Sequence, residues 1–392
     1  MWQESPWPRR KNFGCGPYPR TPLPVPWYLS DVPRQFSRYG HAYETVRSAL
    51  SHFSPPPDLV LITTAMTYWY PGAVQMLRLV REIWPRVPIA LGGVYPTLCP
   101  EHAATWSADL VLSGPLETGG NWQRVWSAMG GTAPPLPPQA GFNLALDLYA
   151  APEYAPILGS RGCPYGCEYC ASRHLYSGFV QRSFESVWQE FMAQYQAGVR
   201  DFAFYDDALL LRPTTWLLPF LHQICELPEP IRLHTPNAMH VQALTPEVCQ
   251  ALFRAGLTTI RLGLESGDFD HRFDAKLSAP QWQEGVDNLF AAGFRAQDIG
   301  AYILFGLPDQ NEADVLAAAR LAAASGIRPQ LAHFSPLPGT PLFERAVEVS
   351  DRPIAEDPLC QNNSIWPCVP GGFSWRTKRR WQEMLAQTMA AY

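Results

Sequence analysis

Three cysteines stand close together in "RGCPYGCEYC", residues 161–170: Cys163, Cys167 and Cys170, spaced C-x3-C-x2-C. Thiolates so placed share one loop and can serve zinc or an iron–sulfur cluster. A structural zinc wants four closed tetrahedral ligands. His174, four residues after Cys170, would complete a Cys3His set. A [4Fe–4S] cluster on three cysteines instead leaves one iron without a protein ligand, an open position for a substrate or cofactor. The loop opens a barrel-type series rather than a small finger, which favours the cluster. The other cysteines carry no comparable pattern. Cys360 and Cys368 are eight apart with no further pair nearby, so no auxiliary cluster is expected. Cys15, Cys99, Cys225 and Cys249 read as core or surface thiols.

The elements around the loop predict how it is held. From about 150, apolar runs at 155–160, 201–206, 231–235, 259–264, 299–306 and 329–335 alternate with helical periodicity at 184–197, 215–226, 246–255, 281–292 and 312–325. Six βα units in series predict a partial (β/α)6 barrel over 150–345. Its site belongs at the carboxyl ends of the strands, where the cysteines fall. Before it, "DLVLITT" (58–64), "VPIALGG" (87–93) and "ADLVLSG" (108–114) bracket a periodic segment at 72–84. That pattern predicts an α/β open parallel, Rossmann-like sheet over 58–129, with "DLVLITT" as a buried strand. Residues 1–57 read as an N-terminal extension, the Gly/Pro-rich 130–149 as a linker, and 346–392 as a tail ending in a helix.

Composition bounds the function. The chain has 392 residues, 47% of them apolar, and a net charge of −5, so nothing global points to nucleic acid or anionic lipid. The basic "WRTKRRWQ" reads as a solvated helix face. No apolar run approaches the roughly 18 residues of a membrane span. The start, "MWQESPWPRRKN", lacks an apolar core of signal-peptide type. A soluble protein of a reducing cytoplasm is the expectation.

C-x3-C-x2-C with an aromatic before the last cysteine, after the first strand of a partial barrel, resembles the radical SAM superfamily over about 150–345. The resemblance implies a [4Fe–4S] cluster on Cys163, Cys167 and Cys170, with its fourth iron chelating S-adenosylmethionine. Reductive cleavage then gives a 5′-deoxyadenosyl radical, and an external one-electron reductant of flavodoxin or ferredoxin type is needed. Tyr169 stands where the family has an aromatic near the adenine. "YDDAL" (205–209) replaces the usual Gly-Gly-Glu, leaving Asp206 or Asp207 for the methionyl ammonium. "RLGLESGD" (261–268) resembles the fourth-strand motif, which would put Glu265 and Ser266 on the ribose. "YILFGLPDQNEAD" (302–314), with Gly306, looks like the fifth-strand turn near the adenine. Each has a bland reading as well: solvated carboxylate, turn glycine, cap or core. Asn237 and His240, just past the third strand, could touch substrate or simply form a turn.

The parallel sheet ahead of the barrel, with "LGGVYPTLCPEHA" (91–103), resembles the cobalamin-binding domain of one branch of that superfamily. Thr64, Met66, Tyr68, Gly92, Gly93 and Tyr95 could line its crevice, or be ordinary loop residues. None of the nine histidines has Asp two residues before it, so base-off, His-on binding is unsupported. A dinucleotide site lacks G-x-G-x-x-G after a strand. Three readings stay open: a cobalamin-dependent methyltransferase, a cobalamin-free radical enzyme performing hydrogen abstraction, rearrangement or cyclisation, and a non-catalytic zinc protein. The substrate, small molecule or peptide, is not legible.

Overall fold

The computed structural model describes residues 16–118, 120–136, 144–149, 152–274 and 276–392. Cys15, most of the glycine- and proline-rich linker after 136, and the first part of the N-terminal extension lie outside them. The chain divides into two compact units, 1–136 with 335–375 and 137–334 with 376–392.

The first unit holds three parallel strands in sequential order: β1 (Val60–Thr64), β2 (Ile89–Gly93) and β3 (Leu110–Val111). β2 is central, and Ile89, Ala90 and Leu91 are fully buried. The expectation of a buried first strand is corrected. Ile62 and Thr64 are buried, but Leu61 is 54% exposed, because β1 is an edge strand covered on one face by the helix Tyr70–Ile83. Leu77, Leu79 and Val80 of that helix complete the core.

Residues 335–375 fold into this unit rather than trailing from it. Asp357 accepts hydrogen bonds from the hydroxyls of Tyr28 (2.5 Å) and Tyr70 (2.9 Å). Arg352 pairs with Asp31 at 2.6 Å and donates to the Tyr28 carbonyl at 2.7 Å. Burial pushes both tyrosines well above the ordinary phenol range, with Asp357 adding to it.

Gly93 ends β2 with φ +94° and ψ −162°, backbone that only glycine adopts easily. A Cβ there would stand 2.4 Å from the Thr64 carbonyl oxygen. Gly93→Ala should therefore cost about 2–4 kcal/mol of stability in chemical denaturation. An unchanged midpoint would refute this account of the turn.

The main sheet of the second unit has six parallel strands in sequential order: β4 (Ala155–Ile157), β5 (Asp201–Phe204), β6 (Arg232–His234), β7 (Leu257–Glu265), β8 (Ile299–Phe305) and β9 (Arg328–His333). Helices Phe184–Gln196, Leu217–Ile224, Pro246–Arg254, Ala279–Ala292 and Glu312–Ala324 connect them, which is the open (β/α)6 arrangement. Alternate strand residues pack outward: Phe202, Phe204, Ile260, Leu262, Leu264, Ala301 and Ile303 are essentially inaccessible. The other set lines the concave side. Sequence sets the helix starts: Ser278 and Gln281 form a reciprocal capping box, and Ser183, Thr245 and Asn311 cap their helices. The final helix, Trp375–Ala390, is anchored here by Trp381, 2% exposed and edge-on to Phe305. Arg380 on the same helix pairs with Glu312. Among the described residues, no helix is long and apolar enough to cross a membrane.

Candidate functional site

After β4 the chain makes a short antiparallel ribbon, Ser160–Arg161 with Val180–Gln181, and the cysteine loop lies inside it. Gly162 admits the chain to the loop. Its φ is +76°, and a Cβ there would lie 2.1 Å from the Gly178 carbonyl oxygen. Within the loop the Cys170 N–H donates to the Cys167 carbonyl at 3.1 Å. Cys167 is 8% exposed, while Cys163 and Cys170 are half-buried. The three thiols lie close enough to interact electrostatically, and burial pushes all of them up, Cys170 to about 11. Metal binding must therefore displace protons. His174 is exposed, and among the described residues no three His, Cys, Asp or Glu side chains group tightly enough for one metal ion. A four-iron cluster asks for something wider, one thiolate on each of three irons.

The two candidate carboxylates after β5 part company. Asp206 is 3% exposed and turned inward, accepting from the Ser160 hydroxyl at 2.6 Å and the Gly159 N–H at 3.3 Å. Burial pushes it up to about 6. It ties β5 to the start of the ribbon. Asp207 is exposed, accepts from Ser172 at 2.6 Å, and acts electrostatically on Cys163 and Cys170.

Glu265 ends β7 with φ +62°, at a shift in the β7–β8 register. Its side chain is 11% exposed, and burial pushes the carboxyl up against the opposing effect of Lys276, whose Nζ lies 3.9 Å from Oε1. The Ser266 hydroxyl accepts from the Asp268 N–H at 3.1 Å, and the Gly306 N–H donates to Gln310 at 2.7 Å. Both are turn contacts. Asn237 donates to the Tyr205 carbonyl at 3.0 Å. His240 packs on Tyr165 of the cysteine loop, ring centroids 4.7 Å apart, and burial lowers it to about 4.

Sequence reasoning missed the loop after β7, "GDFDHRFDAK" (267–276), because so polar a stretch reads as solvated. It folds inward. Arg272 and Asp274 form a bidentate pair at 2.7 and 2.8 Å, with side chains 2% and 1% exposed. Arg272 also donates to the Ser266 and Leu264 carbonyls, both at 2.9 Å. Lys276, 9% exposed, lies 3.6 Å from Asp274 and donates to the Tyr169 hydroxyl at 3.3 Å. The Tyr169 hydroxyl in turn donates to Asp274 at 3.4 Å. Burial pushes Tyr169 far up, helped by Glu265 and Cys167. Burial disfavours the Lys276 ammonium, but Glu265, Cys167 and Asp274 outweigh that and raise it, so it stays charged. The Glu168 N–H donates to the Phe273 carbonyl at 2.9 Å, joining this loop to the cysteine loop. The only residue to hint at this was the position: a charged loop directly after Glu265, at a strand's carboxyl end.

In the first unit, the crevice candidates divide. The Thr64 hydroxyl accepts from the Tyr95 N–H at 3.2 Å, and Tyr95 is fully buried with its hydroxyl 2.6 Å from His102 Nδ1. Met66, Tyr68 and Gly92 are half-buried at the carboxyl edge.

Six parallel βα units carry a three-cysteine loop at their carboxyl edge. Residues 157–322 match the family model described as the radical SAM superfamily. It is 27% identical over 285 residues to bacteriochlorophyllide d C-12(1)-methyltransferase of Chlorobaculum tepidum, covering 67% of this chain and 60% of that protein. It is 26% identical over 211 residues to an uncharacterized methyltransferase of Pyrococcus horikoshii, covering 52% of this chain and 45% of the relative. The chain thus spans less than two thirds of either curated relative. Among solved structures it resembles the radical S-adenosylmethionine methyltransferase TsrM of Kitasatospora setae. With tryptophan substrate and a SAM analog bound, the TM-score is 0.62 at 16% identity, over 79% of this chain and 69% of that one. With cobalamin and a [4Fe–4S] cluster bound, the TM-score is 0.59 at 16% identity, over 79% and 71%. The shared fold therefore extends beyond the segment matched by the family model.

The residues present fit the family's cluster. Three thiols on one loop supply soft ligands for three irons, and the buried Lys276 ammonium offsets the negative charge that a thiolate-bound cluster brings.

Proposed function

We propose that this chain is a radical SAM methyltransferase, with Cys163, Cys167 and Cys170 as the ligands of its cluster. The observation that carries the reading is the convergence of the cysteine loop, Asp207, Glu265 and Lys276 at one strand edge. When bound, the cluster supplies the electron that breaks the C5′–S bond of S-adenosylmethionine. The protein's residues then have complementary tasks. Asp207, exposed beside Cys163 and Cys170, receives the methionyl ammonium, while Asp206 is spent on Ser160 and Gly159. Lys276 offers its charge to the methionyl carboxylate. Glu265 is placed to accept from ribose hydroxyls, with Arg272 and Asp274 fixing the loop behind it. The family needs an external reductant, here proposed to be a flavodoxin or ferredoxin.

Cobalamin as methyl carrier would belong to the carboxyl edge of the first unit's sheet, near Met66, Tyr68 and Gly92. A second reading, a radical enzyme without cobalamin, is favoured by one observation: Thr64 and Tyr95 are already committed to each other and to His102. Anaerobic reconstitution in the presence of hydroxocobalamin, followed by desalting and iron and cobalt analysis, separates the two. Four irons with stoichiometric cobalt support the methyltransferase. Four irons without cobalt select the second reading. A chain that takes up no iron and cleaves no S-adenosylmethionine under reductant overturns both.

Asp207→Asn should weaken S-adenosylmethionine binding by roughly ten- to a hundredfold, the worth of one hydrogen bond to a charged group. Asp206→Asn should leave that affinity nearly unchanged and lower stability instead. Equilibrium dialysis of the reconstituted variants measures it, and the reverse ranking would exchange the two roles.

A further inference from the structure

The concave side of the barrel carries a feature that cleavage of S-adenosylmethionine does not use. Ile260 and Leu262 pack outward, so Arg261 between them on β7 lies on the concave side. The ladders place Arg261 opposite Gly300 on β8, and Gly300 opposite Arg328 on β9. The three form one row across three strands, with the two arginines about 10 Å apart at their backbones, two strand spacings. Glycine in the middle leaves room for the Gln330 side chain, whose amide lies over it between the two arginines. A Cβ at Gly300 would lie 2.6 Å from Gln330 Nε2 and 3.4 Å from Arg261 Cδ.

Neither guanidinium has a carboxylate partner among the described residues. Arg261 is half-buried, and its one side-chain bond is from NH1 to the adjacent Ile260 carbonyl at 2.7 Å. Arg328 is exposed at the start of β9. Elsewhere in this barrel, arginines near the sheet are neutralised: Arg232 by Asp201, Arg182 by Glu190 and Arg272 by Asp274. Two like charges flank an amide donor here, an arrangement that an anion between them would offset. Guanidinium forks are also the donors best matched to carboxylate and phosphate oxygens.

We propose that Arg261, Arg328 and Gln330, over the floor made by Gly300, form an anion subsite that holds a carboxylate or phosphate group of the substrate. The proposal rests on the barrel being the reaction chamber. It implies a substrate with an anionic group displaced from its reacting carbon. Arg261 and Glu265 pair with Gly300 and Ile303, three residues apart on β8, so about 10 Å of strand separates them.

The test is calorimetric titration of the full-length chain at low ionic strength, with inorganic phosphate in one series and propionate in another. Each series is run before and after cluster reconstitution. Binding needs no cluster and no S-adenosylmethionine, so failure of the radical reading would not mask the result. The expected result is saturable binding of at least one probe. It should be weakened at least about tenfold by Arg261→Met and by Arg328→Met, and partly restored by Arg261→Lys, as expected for lost charge-assisted bonds. Gly300→Val, which displaces the Gln330 amide and keeps both charges, should weaken it too. Tighter phosphate binding selects phosphorylated substrates, and tighter propionate binding selects carboxylic acids. No saturable binding, or binding unaltered in both arginine variants, overturns the proposal.

Discussion

Cys167→Ala should yield a folded chain that retains no stoichiometric iron after anaerobic reconstitution and forms no 5′-deoxyadenosine from S-adenosylmethionine under reductant. Cys167 is the most buried of the three thiols and stands between the other two. Its removal leaves two ligands for a cluster that needs three, and no described side chain nearby can replace it. The nearest histidine in sequence, His174, is exposed on the helix Ser172–Leu175. Loss of one small buried side chain should cost only about 1 kcal/mol in stability. Circular dichroism and the denaturation midpoint therefore separate loss of cluster from loss of fold. Full cleavage activity in this variant would sink the assignment. Burial holds the free thiols protonated, so cluster assembly in the unaltered protein should also be more complete at pH 8 to 9 than at pH 6 to 7, given an ordinary thiol pKa of about 8.5.

The second large effect is on stability. Asp274→Ala should destabilise the barrel by about 3–5 kcal/mol, because it leaves Arg272 as an uncompensated buried charge and Lys276 with Glu265 alone. Burial pushes the Asp274 carboxyl up, but the Arg272 hydrogen bond and the charges of Lys276 and Arg272 outweigh it and hold the group below the usual carboxylate range. A depressed folded-state value means the stabilisation is complete above the unfolded pKa of about 3.9 and is lost as pH falls through the lower folded value. The wild-type protein should accordingly lose stability on acidification in that window, and the variant should lose less of it. Urea denaturation from pH 3 to pH 7 measures both. A cost below about 1 kcal/mol would mean that water reaches the network and that it contributes like a surface pair.

Some of this was legible because it is written in local spacing. The cysteine loop is contiguous, so the three thiols it brings together are visible in ten residues. The six apolar runs with helical periods between them dictate a parallel series, since such strands need a crossover helix and sequential order is the simplest solution. Glu265 and the Asp206–Asp207 pair sit at strand ends, which the runs themselves mark.

Tertiary structure decided what depends on distant partners. Which aspartate turns inward was set by Ser160 and Gly159, more than forty residues from Asp206. The burial of Arg272, Asp274 and Lys276 depends on Arg272 finding the Leu264 and Ser266 carbonyls and on the Phe273 carbonyl meeting Glu168, so charges that look solvated become buried. Residues 335–375 join the first unit because Asp357 meets Tyr28 and Tyr70, a pairing across about three hundred residues that no period or motif encodes. The row of Arg261, Gly300 and Arg328 exists only through strand register, which side-chain type alone does not determine.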